Sequence, residues 1–121
     1  MEQFRSTSFE ERVNSATRLL KKFPDRVPVL VKPGNKHTPN IDRYKYLVPS
    51  ELRVSEFITL IRKNIKLGPE KAMFIFVNNV LPPSNSTIKE LYEQYKNDDG
   101  FLYLVYSLEN TFGSDFILEI F

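Results

Sequence analysis

Few side chains in this sequence could support catalysis. The 121-residue chain has no cysteine and a single histidine, His37, which lies in a loop of Gly, Asn, Thr and Pro residues. A metal site needs three or four converging ligands, and a serine nucleophile needs a base beside it. Asp98 and Asp99 precede Gly100 in a predicted turn, where we expect both carboxylates to be solvated. We therefore expect no metal site, no cofactor and no enzymatic activity.

The C-terminus combines an isolated glycine with an apolar segment. Gly113 follows an irregular polar stretch and precedes SDFILEIF, residues 114–121, in which four residues are Phe or Ile. On the local sequence alone, an ordinary loop glycine is the simpler interpretation.

The basic residues are distributed unevenly along the chain. The net charge is +2, yet residues 12–63 contain 12 Lys and Arg against 4 Asp and Glu, and the other residues contain 5 against 11. This asymmetry favours an acidic partner or an anionic surface, and the alternative is a solvated surface that is simply uneven. The basic residues form no dense run interleaved with aromatics, so we expect no nucleic-acid partner. The length predicts one domain, and the sequence shows neither a signal peptide nor a run of ~20 apolar residues.

The first helix is predicted from a cap and an apolar stripe. Ser8 followed by Glu11 is a capping-box pattern, and Pro24 should end the helix because the residue before a proline avoids helical angles. Leu19 lies beside the stripe, so we expect it to be partly exposed. The stripe that should form the buried face consists of Phe9, Val13, Ala16, Leu20 and Phe23.

The rest of the chain alternates strands with two further helices. Pro28 lacks an N–H, so the first strand should lie at an edge of the sheet or contain a bulge. A helix with an apolar stripe from Val54 to Ile65 separates the second and third strands, and a short helix with the capping pair Thr87 and Glu90 precedes the last. The predicted strands are RVPVLV at 26–31, KYLVP at 45–49, MFIFVNN at 73–79 and FLYLVYS at 101–107.

This order of elements predicts an α+β fold, the ubiquitin-like β-grasp with an added N-terminal helical segment. Two early strands, a helix that crosses their sheet and two later strands describe the β-grasp. The leading helix should pack on the opposite face of the sheet. We expect the helical segment at residues 1–24, the β-grasp at 25–107 and a flexible leash at 108–113.

Five stretches together carry a resemblance to a known family. They are KKFPDRVPVLV, KYLVPSEL, LIRKNIKLGPEKAMFIFVNNVLPP, LYEQYKNDDGFLY and YSLENTFG. In this order they resemble the GABARAP-like ubiquitin-like modifiers of autophagy, from about Phe9 to Gly113. The resemblance implies a modifier domain over residues 1–113, followed by residues 114–121 as a tail that is cleaved or is an added segment.

The resemblance implies a covalent function for Gly113. In that family a cysteine protease trims the C-terminus to a glycine, which activating and conjugating enzymes transfer to the amine of phosphatidylethanolamine. The implied protein is a monomer, cytoplasmic when free and bound to autophagosome membranes and cytoplasmic vesicles when lipidated. The alternative is an unconjugated peptide-binding adaptor in membrane trafficking, with tubulin as one partner.

The resemblance also implies a groove for aromatic-x-x-aliphatic motifs of cargo receptors, which add to an open sheet edge. In an extended peptide the two side chains lie ~10 Å apart on opposite faces, so two pockets should flank the strand KYLVP. The implied aromatic pocket consists of Leu19, Pro28, Leu30, Lys45, Leu47 and Phe101. The implied aliphatic pocket consists of Tyr46, Val48, Pro49, Leu52, Phe57 and Leu60. The implied contacts to flanking acidic residues are Arg26, Arg43 and Lys45.

Two residues depart from the family pattern. Ser15 stands where relatives often have an acidic residue that lines the aromatic pocket, and Asn64 stands where a basic residue is usual. These departures leave the partner preference open. The tail lacks the motif spacing, since the residue three places after Phe116 is Glu119, so we expect that it does not occupy both pockets.

Overall fold

The computed structural model of the chain describes residues 7–34, 38, 41, 43–65 and 71–108. His37, Gly113 and the tail at 114–121 lie outside the described residues. Within the described part of the chain, no helix has the length and apolar character needed to cross a membrane. The elements in chain order are α1 (Phe9–Lys22), β1 (Arg26–Pro33), β2 (Lys45–Pro49), α2 (Val54–Lys63), β3 (Phe74–Phe76), α3 (Ile88–Tyr95) and β4 (Leu102–Ser107).

The four strands form one mixed sheet in the order β2-β1-β4-β3. β1 is antiparallel to β2 and parallel to β4, and β3 is antiparallel to β4. The parallel pair in the centre joins the first strand of the chain to the last, as in a β-grasp. The predicted α+β fold with an N-terminal helix is therefore confirmed.

β1 is a central strand, so the edge position or bulge predicted from Pro28 is wrong. The Val31 N–H donates to the Tyr44 carbonyl at 2.9 Å on the β2 side of the strand. Because N–H groups alternate in direction along a strand, the nitrogen of Pro28 points away from β2. Pairing with β4 begins at Val29, so the missing N–H of the proline removes no hydrogen bond from either ladder.

The two faces of the sheet carry different helices. Val29 and Val31 of β1 pack in the larger core with Phe57 of α2. Leu30, between them in the sequence, packs with Ala16 of α1 in a second, smaller cluster. Since successive side chains of a strand point to opposite faces, α1 and α2 cover opposite faces, as the sequence predicted.

α1 contacts the sheet through the middle of its length. The Glu11 N–H donates to the Ser8 hydroxyl at 3.1 Å, which confirms one of the two bonds of the predicted capping box; the Glu11 carboxylate accepts from the Ser8 hydroxyl instead of its N–H. Within α1, all of which the structure describes, Ala16 is the one buried residue, and Leu19 is half-buried as expected. Phe9 is 52% exposed, so the predicted buried face is wrong at the first turn. The Phe9 ring instead lies 5.7 Å from the guanidinium of Arg12.

The third strand is shorter than the sequence pattern predicted. β3 ends at Phe76, and Val77 and Val80 exchange two hydrogen bonds of 2.9 Å. Asn78 and Asn79, between them, have φ angles of +48° and +65°. Asn tolerates this left-handed conformation, and two such residues make the tight turn typical of hairpins. The predicted strand over 73–79 therefore contains a turn at its end.

Candidate functional site

β2 has an open edge, because no strand among the described residues pairs with the side that faces away from β1. The Tyr44 carbonyl accepts from β1, so by alternation the backbone groups of Lys45 and Leu47 point outward. The Leu47 carbonyl accepts a hydrogen bond from the Arg26 guanidinium at 3.3 Å. This edge presents outward-facing backbone groups to an extended peptide, and Arg26 lies beside them.

A cavity of about 340 Å³ lies between β2 and α1. We call it the aromatic cavity, since five of the six residues predicted for the aromatic pocket line it. Those five are Leu19, Pro28, Lys45, Leu47 and Phe101. Leu30, the sixth, is 1% exposed and packs against Ala16 and Phe101, so it supports the cavity from inside the core.

Sequence reasoning missed Arg18, which also lines the aromatic cavity together with Ser15. Residues three and four apart on a helix share a face, so the positions of Ser15 and Leu19 relative to Arg18 are the signal that could have found it. Among the described residues that line the cavity, Arg18 and Lys45 carry charge and none is a carboxylate. The cavity therefore has apolar walls and a basic rim.

The residues predicted for the aliphatic pocket lie on and around β2 and α2, and one of them, Tyr46, also lines the aromatic cavity. The Tyr46 and Phe57 rings meet edge to face, with centroids 5.5 Å apart. Val48 and Phe57 are buried in the larger core, and Leu52 packs against that core while half-buried. Pro49 and Leu60 are exposed. The structure thus brings four of the six residues, Tyr46, Val48, Leu52 and Phe57, into one packed cluster.

Asn64, one of the two departures from the family pattern, fixes the hydroxyl of Tyr46. Its side-chain amide donates to the Tyr46 oxygen at 3.1 Å, which links the end of α2 to β2. Burial raises the pKa of Tyr46 above its ordinary value, while the hydrogen bond from Asn64 and the charge of Arg43 act in the opposite direction. The phenol is therefore neutral at physiological pH, and Arg43 is close enough to influence it electrostatically.

Asp99 is buried, with 4% of its surface exposed, so the prediction that it is solvated is wrong, whereas Asp98 is exposed as expected. The Oδ2 atom of Asp99 accepts from the Arg12 guanidinium at 3.1 Å and from the Tyr103 hydroxyl. Its Oδ1 atom accepts from the Phe101 N–H at 3.0 Å. The turn is closed by the Phe101 carbonyl, which accepts from the Asn97 N–H at 2.9 Å. The tertiary partners on α1 and β4 explain the burial of Asp99.

The described residues contain no group of three or more His, Asp or Glu side chains that could share a metal ion. The open edge of β2 and the aromatic cavity beside it form the candidate functional site. Both are features of a binding protein.

A mixed sheet crossed by one helix on each face, with a central parallel pair of strands, places this chain in the class of ubiquitin-like proteins. The model of the family described as "Autophagy protein Atg8 ubiquitin like" matches residues 11–113. Autophagy-related protein 8a of Arabidopsis thaliana is 51% identical over 110 residues, which are 90% of this chain and 90% of that protein. The chain belongs to the Atg8 family of autophagy ubiquitin-like proteins.

Further relatives come from distant organisms. Autophagy-related protein 8 of Candida albicans is 51% identical over 113 residues, 93% of this chain and 84% of that protein. The crystal structure of Trypanosoma brucei ATG8 superposes with a TM-score of 0.83 at 38% identity, covering 93% of this chain and 98% of that chain. Plasmodium falciparum Atg8, solved in complex with a P. falciparum Atg3 peptide, gives 0.79 at 35% identity, covering 87% and 94%. The family resemblance inferred from the sequence is confirmed, and the homologues are ubiquitin-like modifiers, not enzymes by themselves.

Proposed function

We propose that this chain is a ubiquitin-like modifier conjugated through Gly113 to phosphatidylethanolamine on autophagic membranes, and that it recruits cargo receptors through a two-pocket peptide groove. One observation carries the peptide-binding part: the aromatic cavity of about 340 Å³ lies directly beside the open edge of β2. An extended peptide needs both features, because backbone pairing supplies affinity and pockets supply specificity.

The bound peptide forms a further strand on β2. Its backbone pairs with the outward groups of Lys45 and Leu47, and its aromatic side chain enters the aromatic cavity between Leu47 and Leu19. The aliphatic side chain three residues later points to the other face, where Tyr46 and the exposed Leu60 lie. Burial of the aromatic ring in the cavity contributes to affinity, because an aromatic side chain removes a large apolar area from water.

Basic side chains at the groove favour motifs that are flanked by acidic residues. Arg26 already contacts the outward carbonyl of Leu47, and Arg43 acts on the phenol of Tyr46. The Lys45 ammonium lies 5.7 Å from the Tyr44 ring centroid, at the rim of the aromatic cavity. Each exposed pair with a peptide carboxylate contributes about 0.5 kcal/mol, so these contacts select between peptides more than they set the affinity.

Conjugation uses the chain beyond the last strand. β4 ends at Ser107, and the match to the family model extends to residue 113. Six residues in extended form reach ~20 Å, enough to carry the Gly113 carboxylate away from the folded body into an enzyme channel. A cysteine protease first removes residues 114–121, and activating and conjugating enzymes then transfer the glycine to the lipid.

This proposal accounts for two locations of one chain. The free form is a cytoplasmic monomer, and the lipidated form resides on autophagosome membranes and cytoplasmic vesicles. The complex of the Plasmodium relative with an Atg3 peptide supports peptide recognition by this fold.

The test is an intact-mass measurement of the protein expressed in eukaryotic cells, with the membrane fraction analysed for lipid-linked protein. A chain that ends at Gly113 and a membrane-bound lipidated form are expected. Gly113→Ala should leave the fold intact and abolish both trimming and lipid attachment, whereas the neighbouring Ser114→Ala should be processed normally. Retention of residues 114–121 under induced autophagy, or lipid attachment by Gly113→Ala, would reject the conjugation site and favour the unconjugated adaptor.

A further inference from the structure

The buried carboxylate of Asp99 joins α1, which lines the aromatic cavity, to β4 and to Phe101 before it. Three donors converge on it: the Arg12 guanidinium from α1, the Tyr103 hydroxyl from β4, and the Phe101 N–H that precedes β4. Phe101 itself lines the cavity. One carboxylate therefore links the helix on one side of the cavity to a residue of its inner wall.

We infer that Asp99 is a positioning residue for peptide recognition, which holds α1 at the distance from β4 that gives the aromatic cavity its width. This inference rests on the proposed function, because it concerns the same groove. Asp99 does not line the aromatic cavity, so it acts on the peptide through the residues that it places.

The geometry of α1 transmits this effect. Leu19 follows Arg12 by seven residues, which is about two turns, so both side chains lie on nearly the same face of the helix. A shift of α1 at Arg12 therefore moves Leu19, and with it Ser15 and Arg18, relative to Phe101.

Packing holds α1 to the sheet at Ala16 and at Leu19, which share one cluster with Leu30 and Phe101. Ala16 is the buried residue of the helix, all of which the structure describes. On the side of α1 that faces α3, a second cavity of about 400 Å³ is lined by Val13, Leu20 and Tyr92, among others. With open space on both sides, the position of the helix depends on this packing and on the Arg12–Asp99 ion pair.

The chemistry of the cluster requires a carboxylate. Burial, followed by the hydrogen bond to Asp99, raises the pKa of Tyr103 above its ordinary value, so its hydroxyl remains protonated and donates. All three groups that face Asp99 are thus donors, and an ionised carboxylate offers only acceptors. An amide in its place would present an NH₂ group to donors and would lose the charge that attracts Arg12.

The test compares Asp99→Asn with Asp98→Asn, which removes the same charge from the exposed neighbour. Binding is measured by titration calorimetry with three synthetic peptides: an acid-flanked aromatic-x-x-aliphatic motif, the same motif with the aromatic residue changed to Ala, and the same motif with the aliphatic residue changed to Ala. For each protein, the dissociation constant of an Ala-substituted peptide divided by that of the full motif is the factor contributed by the replaced peptide side chain. We call the two ratios the aromatic factor and the aliphatic factor. In Asp99→Asn the aromatic factor should fall roughly tenfold, the effect of losing a charge-assisted hydrogen bond, and the aliphatic factor should not change. In Asp98→Asn both factors should equal those of the wild type.

The outcomes separate this inference from the proposed function. If the wild type binds the motif and the aromatic factor of Asp99→Asn is unchanged, or if both factors fall equally, Asp99 is not a positioning residue for this cavity. If neither the aromatic nor the aliphatic residue of the peptide raises its affinity for the wild type, the proposed groove itself is wrong. Thermal unfolding checks that each variant is folded. If Asp99→Asn is unfolded, Tyr103→Phe removes one donor alone, and it should lower the aromatic factor in the same direction by a smaller amount.

Discussion

A Cβ atom at Gly100 would lie 2.8 Å from the Cβ of Ala16, closer than real Cβ contacts. The turn before β4 therefore approaches α1 at a point where residue 100 can have no side chain. The φ angle of Gly100 is +90°, a conformation that other residues rarely adopt. Two independent constraints thus require glycine at this position, next to the Asp99 cluster that holds the same helix.

Gly100→Ala should destabilise the protein, because it adds a contact with Ala16 and forces a strained backbone. We expect a loss of roughly 1–3 kcal/mol in the free energy of unfolding, measured by chemical denaturation. Ala16→Gly removes the opposing methyl group but costs about 1 kcal/mol of helix propensity. The double variant should lose less free energy of unfolding than the sum of the losses in the two single variants. Full additivity would show that the predicted contact does not form.

Leu47→Ala should weaken the binding of receptor peptides without unfolding the protein. Leu47 is half-buried and lines the aromatic cavity beside the open edge of β2. Truncation removes apolar contact area, and we expect the dissociation constant to rise about tenfold. Leu81→Ala is the matched control, since Leu81 is half-exposed and does not line the cavity. Equal affinities of wild type and Leu47→Ala for the peptide would show that Leu47 does not contribute to the groove.

Ser15→Glu should change which aromatic residue the groove prefers. The described lining of the cavity has a hydroxyl at Ser15 and cations at Arg18 and Lys45, so an indole N–H meets few acceptors. A carboxylate at residue 15 supplies one, and the affinity for a Trp motif relative to a Phe motif should rise roughly threefold to tenfold. Asn14→Glu adds the same charge at an exposed neighbour outside the cavity and should leave the ratio unchanged. A ratio that responds equally to both variants would indicate a general charge effect.

Glu90 should make stability at the start of α3 sensitive to acid. Its carboxylate accepts from the Thr87 N–H and hydroxyl at 3.0 Å each, and these bonds lower its pKa below the ordinary value of 4.5. Because the pKa is lower in the folded state, the stabilisation is complete above 4.5 and is lost as the pH falls through the folded-state value.

Glu90→Gln should therefore lower the unfolding midpoint at neutral pH, and the difference from wild type should shrink in acid. The control is Glu93→Gln on the same helix, which removes the same charge and should show a smaller difference at neutral pH. Thermal unfolding at about pH 7 and about pH 3 gives the comparison. A difference that is constant between the two conditions would contradict the role of the ionised carboxylate.

The order of the elements and most of the aromatic cavity could be predicted from the sequence. Caps such as Thr87 with Glu90 act within one helical turn, so they are visible as local patterns, and the structure confirms both hydrogen bonds. The cavity residues could be named because a family resemblance supplies tertiary information that local patterns lack. Leu47 and Phe101 are far apart in the sequence, and the structure brings them together.

The errors arose where pairing between distant segments decides the outcome. Pro28 lacks an N–H wherever it lies, but the register of β1 with β4 determines whether that absence matters. Asp98 and Asp99 are chemically identical neighbours, and only the positions of Arg12 and Tyr103 bury one of them. The periodicity of the sequence predicts neither the register of β1 with β4 nor the contact of Arg12 and Tyr103 with Asp99.

The two edge strands of the sheet, β2 and β3, differ in the length of backbone that they can pair with a ligand. β2 has five residues along its open side, whereas β3 has three and runs into the Val77–Val80 turn. Two ligands that both require a strand-length edge therefore compete for β2 on the same molecule. In the proposed function, this competition would apply to an enzyme of the conjugation pathway and a cargo receptor, and their local concentrations would decide which of them is bound. Many copies on one membrane would bind both ligands at once, whereas a single copy would bind one.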